Sequence, residues 1–248
     1  MKISKFRDLT IIDINDDQVM VISCDSAGAI GNKEKDIVKV EPEIVGYFTA
    51  QVALMEILAI GAKPITIVNT LSVEMDDTGK RIIEGIKRVV EPLDFSDVDI
   101  ITGSTEENFP VCQTGMGITI IGIIDKKNWG RPKARANTLV AVVGVPKIGN
   151  EIIEDKGREI LSISHLLELK NNPSIHEILP VGSKGILYEL KEMARTNNLS
   201  YCLEDEIALD IERSAGPATC AIISIDEGEY NSLKNSFPIP VERIGRFI

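Results

Sequence analysis

Two short segments carry the side chains best suited to chemistry. The first, VMVISCDSAGAIG, runs an apolar stretch into Asp25 and then into Ser26, Ala27, Gly28 and Gly31. Small residues let a backbone approach a ligand closely, and a carboxylate at a strand end beside them is placed to hold a metal ion. The same residues also make an ordinary turn, where Asp and Gly are common. The second, ITGSTEENFPVCQTGMG, delivers Thr105, Glu106, Glu107 and Asn108 in a row between Gly103 and Pro110. Consecutive carboxylates repel one another unless a cation or solvent screens them, so this is either a cation-binding loop or a solvated acidic one.

Other positions are open. Asn69 interrupts the apolar run ITIVNTL, where a buried amide needs hydrogen-bond partners, or it ends the strand at the surface. Asp8, in KFRDLTIID, starts an element by default and joins a metal site only if the fold brings it beside Asp25 and Glu56. His165 and His176 have no cysteine or carboxylate at ligand spacing and read as structural. No nucleophile elbow, Walker loop or HExxH motif is present.

The elements that must position these residues follow from periodicity. Strands are expected at 19–23, 65–71, 98–102 and 116–124, each short and rich in β-branched residues. A helix is expected over 42–60, with Pro42 at its first position, Gly61 as the C-terminal cap and Pro64 just beyond. Ile44, Val45, Phe48, Val52, Met55 and Ala59 form its apolar stripe, with Glu56 at the edge. A second helix over 78–90 places Ile82, Ile86 and Val89 inward and ends at Pro92. The polar, basic stretch KKNWGRPKARANT at 126–138 marks a boundary between a domain at 1–130 and another at 131–248. Beyond it, strands at 139–145, 219–225 and 241–247 alternate with helical patterns at 158–169, 185–196 and 229–236, so both halves mix α and β.

Composition narrows the function. With 27 Lys+Arg against 38 Asp+Glu, the net charge of −11 repels nucleic acids and anionic lipid surfaces, and neither is an expected partner. An acidic chain that handles phosphates must recruit divalent cations. The hydrophobic share of 44% excludes intrinsic disorder. Cys24, Cys112, Cys202 and Cys220 show no CxxC spacing, no apolar run reaches about 18 residues and the start carries charge rather than a secretory core. A soluble cytoplasmic protein with reduced thiols is expected.

In order, CDSAGAIG after a strand, ALMEILAIGAKP in a helix, VNTLSVE in the next strand, then TGSTEENFP and TGMGITIIG resemble the aminoimidazole ribonucleotide synthetase superfamily. The resemblance covers most of residues 1–125. It implies an α/β (α+β) fold with two domains, an N-terminal mixed sheet with helices and a C-terminal α/β domain. It also implies an enzyme that uses ATP and magnesium to phosphorylate or activate an oxygen-bearing small molecule, and a homodimer whose N-terminal sheets close a barrel between subunits.

By position, Asp25 resembles the Asp of the family's strand-end DG motif, and Glu56 stands where the family usually has Asp in an NDxxxxGAxP-like helix. Both would be magnesium ligands, joined by Asp8 and Glu106. Asn69 replaces an Asp of the family's following strand, and GSTE at 103–106 replaces GGET or GGDT. Asn69 would then face substrate together with Asn108, while Gly28, Gly31, Gly103, Ser104 and Thr105 approach the nucleotide. Glu106 or Glu107 would orient the acceptor hydroxyl or take its proton. In the second half, Ser183, Lys184 and Gly185 replace the family's Asp-Gly-Gly turn before a helix.

Within the superfamily, the CDSAGAIG and TGSTEENFP loops look most like the α-ribazole kinase branch, which phosphorylates the 5′-hydroxyl of α-ribazole, a nucleoside-like alcohol, in cobamide salvage. Two alternatives stand beside it. One is another kinase or synthase of the superfamily, such as one similar to thiamine monophosphate kinase. The other is a nucleotide-binding domain without chemistry, to which Asn69 and the altered turn point.

Overall fold

The computed structural model describes residues 2–93, 100–129 and 133–248. They fall into two compact units, Met1–Leu58 with Ala62–Trp129, and Gly130–Ile248 with Ala59–Gly61. In the first unit, β1 (Ile3–Phe6), β2 (Leu9–Asp13) and β3 (Gln18–Gly28) form a meander, and β4 (Ile30–Gly31) and β5 (Val38–Lys39) make a small parallel ribbon. Then come α1 (Pro42–Ala59), β6 (Lys63–Leu71), α2 (Lys80–Val90), β7 (Ile101–Ser104) and β8 (Gly115–Asp125). The main sheet runs β1-β2-β3-β8-β6-β7 and is antiparallel except between β6 and β7.

β3 and β8 alternate burial along their length, with Val19, Val21 and Ser23 on one strand and Met116, Ile118, Ile120 and Ile124 on the other turned to the core. The expected strand end at residue 23 is corrected. Asp25, Ser26, Ala27 and Gly28 go on pairing with Ile118, Gly117, Met116 and Gly115, because ladder bonds come from the backbone and need no apolar side chain. Asp25 therefore lies within a strand. Of the strand expected at 98–102, residues 98 and 99 lie outside the described residues, and β7 starts at Ile101.

α1 is buried on most of its surface, including Ala50, Ala53, Leu54, Met55, Ile57 and Leu58. Ile44, Phe48 and Val52 lie on a half-buried line instead of in the core stripe expected for them, and Glu56, on the same line, is half-buried as its place at the stripe's edge implies. A helix apolar nearly all round gives no periodic signal for which side faces inward. α2 is strongly amphipathic, with Ile82, Ile86 and Val89 buried and Lys80, Glu84, Lys87 and Arg88 exposed. The two helices touch backbone to backbone: a Cβ on Gly46 would strike the Ile82 carbonyl, and one on Gly85 the Glu43 carbonyl.

The second unit contains β9 (Leu139–Gly144), α3 (Asn150–Asp155), α4 (Ile163–Asn171), β10 (Ile175–Pro180), α5 (Ile186–Asn197), β11 (Tyr201–Leu203), β12 (Cys220–Ile225), α6 (Glu227–Ser236) and β13 (Val241–Phe247). Its sheet, β10-β12-β9-β13-β11, is antiparallel throughout, and β9 and β12 are buried at every residue. The helix expected from 158 begins only at Ile163, where the Ser162 hydroxyl accepts the His165 N–H as a cap. β10 escaped the sequence reading because His176 and Glu177 break its apolar run. Partners let both be buried: Glu177 accepts the Ala134 N–H and the Asn197 amide at 2.7 Å each, and His176 Nε2 lies 2.7 Å from Asp226 Oδ1.

Candidate functional site

One cross-strand row of the first unit carries three of the expected site residues. Asp25 lies opposite Ile118, Ile118 opposite Asn69, and Asn69 beside Gly103. Residues opposite one another in a ladder point to the same face, so Asp25 and Asn69 share the core side of the sheet. Asn69 is buried, and its Nδ2 donates to the Thr102 carbonyl at 3.0 Å. A Cβ at Gly103 would collide with the backbone and amide of Asn69, so the glycine there makes room for Asn69. Asp25 is half-buried, and burial pushes its carboxyl up to about 6 despite a backbone hydrogen bond at Ser26 that works the other way.

Beyond the row, three loops are fastened to one another. Buried Asp36 accepts the Thr114 N–H at 2.7 Å and hydroxyl at 2.6 Å, and the Lys33 N–H at 2.9 Å. Gly31, at φ +151°, is small for this clamp, since a Cβ would strike the Thr114 hydroxyl. Gly28, exposed at the end of β3, has open space where a Cβ would point. Lys33 Nζ donates to both oxygens of Glu74 at 2.7 and 2.9 Å, and Thr78 Oγ1 donates to Glu74 at 2.5 Å. Burial alone would raise the Glu74 carboxyl, but these bonds outweigh it and hold it below the ordinary range.

The acidic loop is equally engaged. The Glu106 N–H donates to the Val73 carbonyl at 3.0 Å, and its Oε1 accepts the N–H groups of Asn108 at 2.7 Å and Phe109 at 3.3 Å. Glu107 Oε1 accepts the Met75 N–H at 2.8 Å and the Thr105 hydroxyl at 2.9 Å. Ser104, exposed, pairs beside Thr70 at the end of β7. Lys33, Asp36, Glu74 and Thr114 were missed from sequence, because partners 41 and 78 positions apart leave no local signal.

Glu74→Gln keeps the shape and removes the charge. We expect a loss of up to about 1 kcal/mol at neutral pH, since the pair is partly exposed. With the native Glu74 pKa depressed, its contribution is present above the unfolded value of 4.5 and fades as pH falls through the native one. The stability gap between wild type and variant should therefore narrow in urea melts as the pH falls below 4.5; a gap constant with pH counts against this role.

The expected metal quartet of Asp8, Asp25, Glu56 and Glu106 is not assembled. Among the described residues, no group of three or more His, Cys, Asp or Glu is placed to hold a metal ion. Ile57 packs on Gly122, which pairs with Val21, whereas Asp25 pairs with Ile118. Four residues of strand, about 13 Å, thus separate the level of Asp25 from that of Ile57, the neighbour of Glu56. Asp8 sits exposed in the turn between β1 and β2. Magnesium ordinarily takes one or two carboxylates and completes its shell with phosphate oxygens and water. Asp25, ionisable and half-buried, fits that use; a four-carboxylate cage does not.

Residues 6–124, just under half of the chain, match the family model for AIR synthase related protein, N-terminal domain. Thiamine monophosphate kinase from Aquifex aeolicus shares the fold at a TM-score of 0.64 and 15% identity, covering 98% of this chain and 89% of that one. The thiamine-monophosphate kinase of Stenotrophomonas maltophilia does so at 0.62 and 15%, over 97% and 86%. PurL of T. maritima, complexed with ADP, does so at 0.64 and 16%, over 96% of this chain but 41% of its own. The chain thus spans about two fifths of the PurL chains it matches, and at these identities the likeness is one of fold. No curated protein matches the sequence. Among the described residues no helix is long and apolar enough to cross a membrane.

Proposed function

We propose that the protein is an ATP-dependent kinase of a small-molecule hydroxyl, with the 5′-hydroxyl of α-ribazole as acceptor. The observation that carries the kinase reading is a fold match that runs through both units and extends over 86–89% of two thiamine monophosphate kinases. Structures of that fold complexed with ADP, and with AMPPCP and TMP, support a nucleotide site.

When bound, magnesium–ATP supplies the phosphoryl group and neutralises charge on the phosphate oxygens. The chain's part is positioning. Asp25, uncomfortable as an anion when alone, is the carboxylate that gains most from a cation. Gly28 and Ser104 leave backbone open to the nucleotide. Glu106 and Glu107 hold their loop through Oε1, and Oε2 of each is the atom we assign to the acceptor hydroxyl. Half-buried Ile12, Met20, Ile22, Ile121 and Ile123 lie in adjacent rows on the sheet face opposite Asp25, which supports a homodimer through that face.

The test is ADP formation from Mg-ATP with and without α-ribazole, with the product identified by mass spectrometry. A product heavier by one phosphoryl group is expected. ADP with thiamine monophosphate and not with α-ribazole would move the acceptor to a thiamine monophosphate kinase-like one, the reading that the fold match favours. ATP binding with no turnover across an acceptor panel would overturn the kinase. A monomer in sedimentation velocity at micromolar concentration would overturn the dimer.

A further inference from the structure

We propose that the groove between α4 and α6 binds a small alkyl diammonium cation, with one charged nitrogen against each wall and the methylene chain along the floor. The site lies wholly within the second unit and does not rest on the kinase reading. The groove has a volume of about 260 Å³. Glu168 and Asn171 of α4 stand on one wall, and Glu229 and Ser232 of α6 on the other. Leu169, Leu233 and Phe237 line it as well and are buried, which makes them its floor. The walls are tied together, since the rings of His165 in α4 and Phe237 at the end of α6 pack with centroids 5.7 Å apart. The groove is therefore preformed, at a size below the roughly 300–1,000 Å³ of drug-sized sites.

Charge selects the occupant. Among the described residues, no Lys or Arg pairs with Glu168 or Glu229, and no Lys, Arg or His lines the groove. Lys234 of α6 is turned to Glu242, 3.1 Å away. Burial lowers the pKa of His165 against the opposing pull of Glu168, so its imidazole is neutral at neutral pH and answers neither carboxylate. A metal ion does not match, because it needs oxygens on several sides and this floor is hydrocarbon. A protein partner does not match either. Interfaces set an apolar core inside a polar rim, and among the described residues no large apolar side chain of α4 or α6 is exposed. A chain of methylenes covers Leu169, Leu233 and Phe237, as the stem of a lysine covers apolar surface. An ammonium at either end meets a carboxylate, and its three N–H donors leave bonds for the Asn171 amide oxygen and the Ser232 hydroxyl.

The probe is 1,5-diaminopentane, titrated into the full chain at fixed ionic strength while amide NMR shifts are followed. Saturable shifts confined to residues 168–172 and 229–237 are expected, and sodium chloride at matched charge should not reproduce them. Glu168→Gln and Glu229→Gln should each weaken binding about threefold to tenfold. Glu154→Gln, which removes an exposed carboxylate outside the groove, should leave it unchanged. Both groove glutamates are exposed, so their variants should melt with wild type. n-Pentylamine, with one ammonium and the same stem, tests the second charge without any variant and should bind more weakly by a similar factor. No saturable shift, shifts scattered over the acidic surface, or equal weakening by Glu168→Gln and Glu154→Gln overturns the inference. So does n-pentylamine binding as tightly as the diamine. A lysine-containing tripeptide binding more tightly than the diamine overturns it as well, by making the groove a peptide site.

Discussion

Asp25→Asn is expected to abolish turnover and, in the metal-free protein, to raise stability at neutral pH. The carboxyl sits half-buried on the core side of the sheet, in a row with buried Asn69, and burial lifts its pKa from 3.8 to about 6. A native pKa above the unfolded one means that the native state holds its proton longer. Stability is thus unaffected by the group below about pH 4, falls as pH rises toward 6, and stays reduced above. At about 1.4 kcal/mol per unit, the ionised group costs roughly 2–3 kcal/mol at pH 7.5, which Asn removes. Urea melts at pH 7.5 and 4 in the presence of a chelator measure this; a variant no more stable than wild type at pH 7.5 overturns the desolvation argument. Loss of the carboxylate should lower kcat at least about a hundredfold if it helps hold charge at the transferred phosphoryl group. A residue whose loss stabilises the fold but ends turnover is kept for function.

Gly46→Ala is the second large effect, and its sign is opposite to that of a neighbouring kind of substitution. Alanine normally favours a helix over glycine, by about 0.4–1 kcal/mol where the space is open. That is the expectation for Gly228 in α6, where nothing lies within 4 Å of a new Cβ. At Gly46 the Cβ would meet the Ile82 carbonyl, and a backbone atom cannot swing aside as a flexible side chain can. α1 and α2 must then separate, and well-packed neighbours lose contacts along the whole crossing. We expect a loss of about 3 kcal/mol or more, and a melting temperature lower by roughly 10 °C. Gly85→Ala, meeting the Glu43 carbonyl, should behave alike. A Gly46→Ala protein melting with wild type would mean that the helices do not cross there.

Much of this was legible before any coordinates. Pro42 and the Gly61–Pro64 stop marked α1 to within a residue, and the amphipathic repeat of Ile82, Ile86 and Val89 marked the inner side of α2. The terminal strand Val241–Phe247 was read at its observed bounds. Errors fell where local signals are silent or misleading. The stretch from Asp25 to Gly28 looks like a turn by composition yet stays in the ladder, because its backbone pairs on with residues 115–118 of β8 whatever the side chains are. β10 holds a histidine and a glutamate whose partners lie at positions 226, 134 and 197.

By itself, then, the sequence determined which segments become strands and helices, the acidic character of the chain, and Asp25 as a residue to watch. Those properties depend on periodicity, caps and charge within a few residues of chain. Only the tertiary structure decided which groups meet. It set Asp25 in line with Asn69 and Gly103, placed Ile57, next to Glu56, against Gly122 four residues of strand away, and turned Glu106 and Glu107 back into their own loop. It also joined Lys33 to Glu74 and Asp36 to Thr114. Such pairings are fixed by strand register and loop closure, and a one-residue slip would send every side chain of a strand to the opposite face.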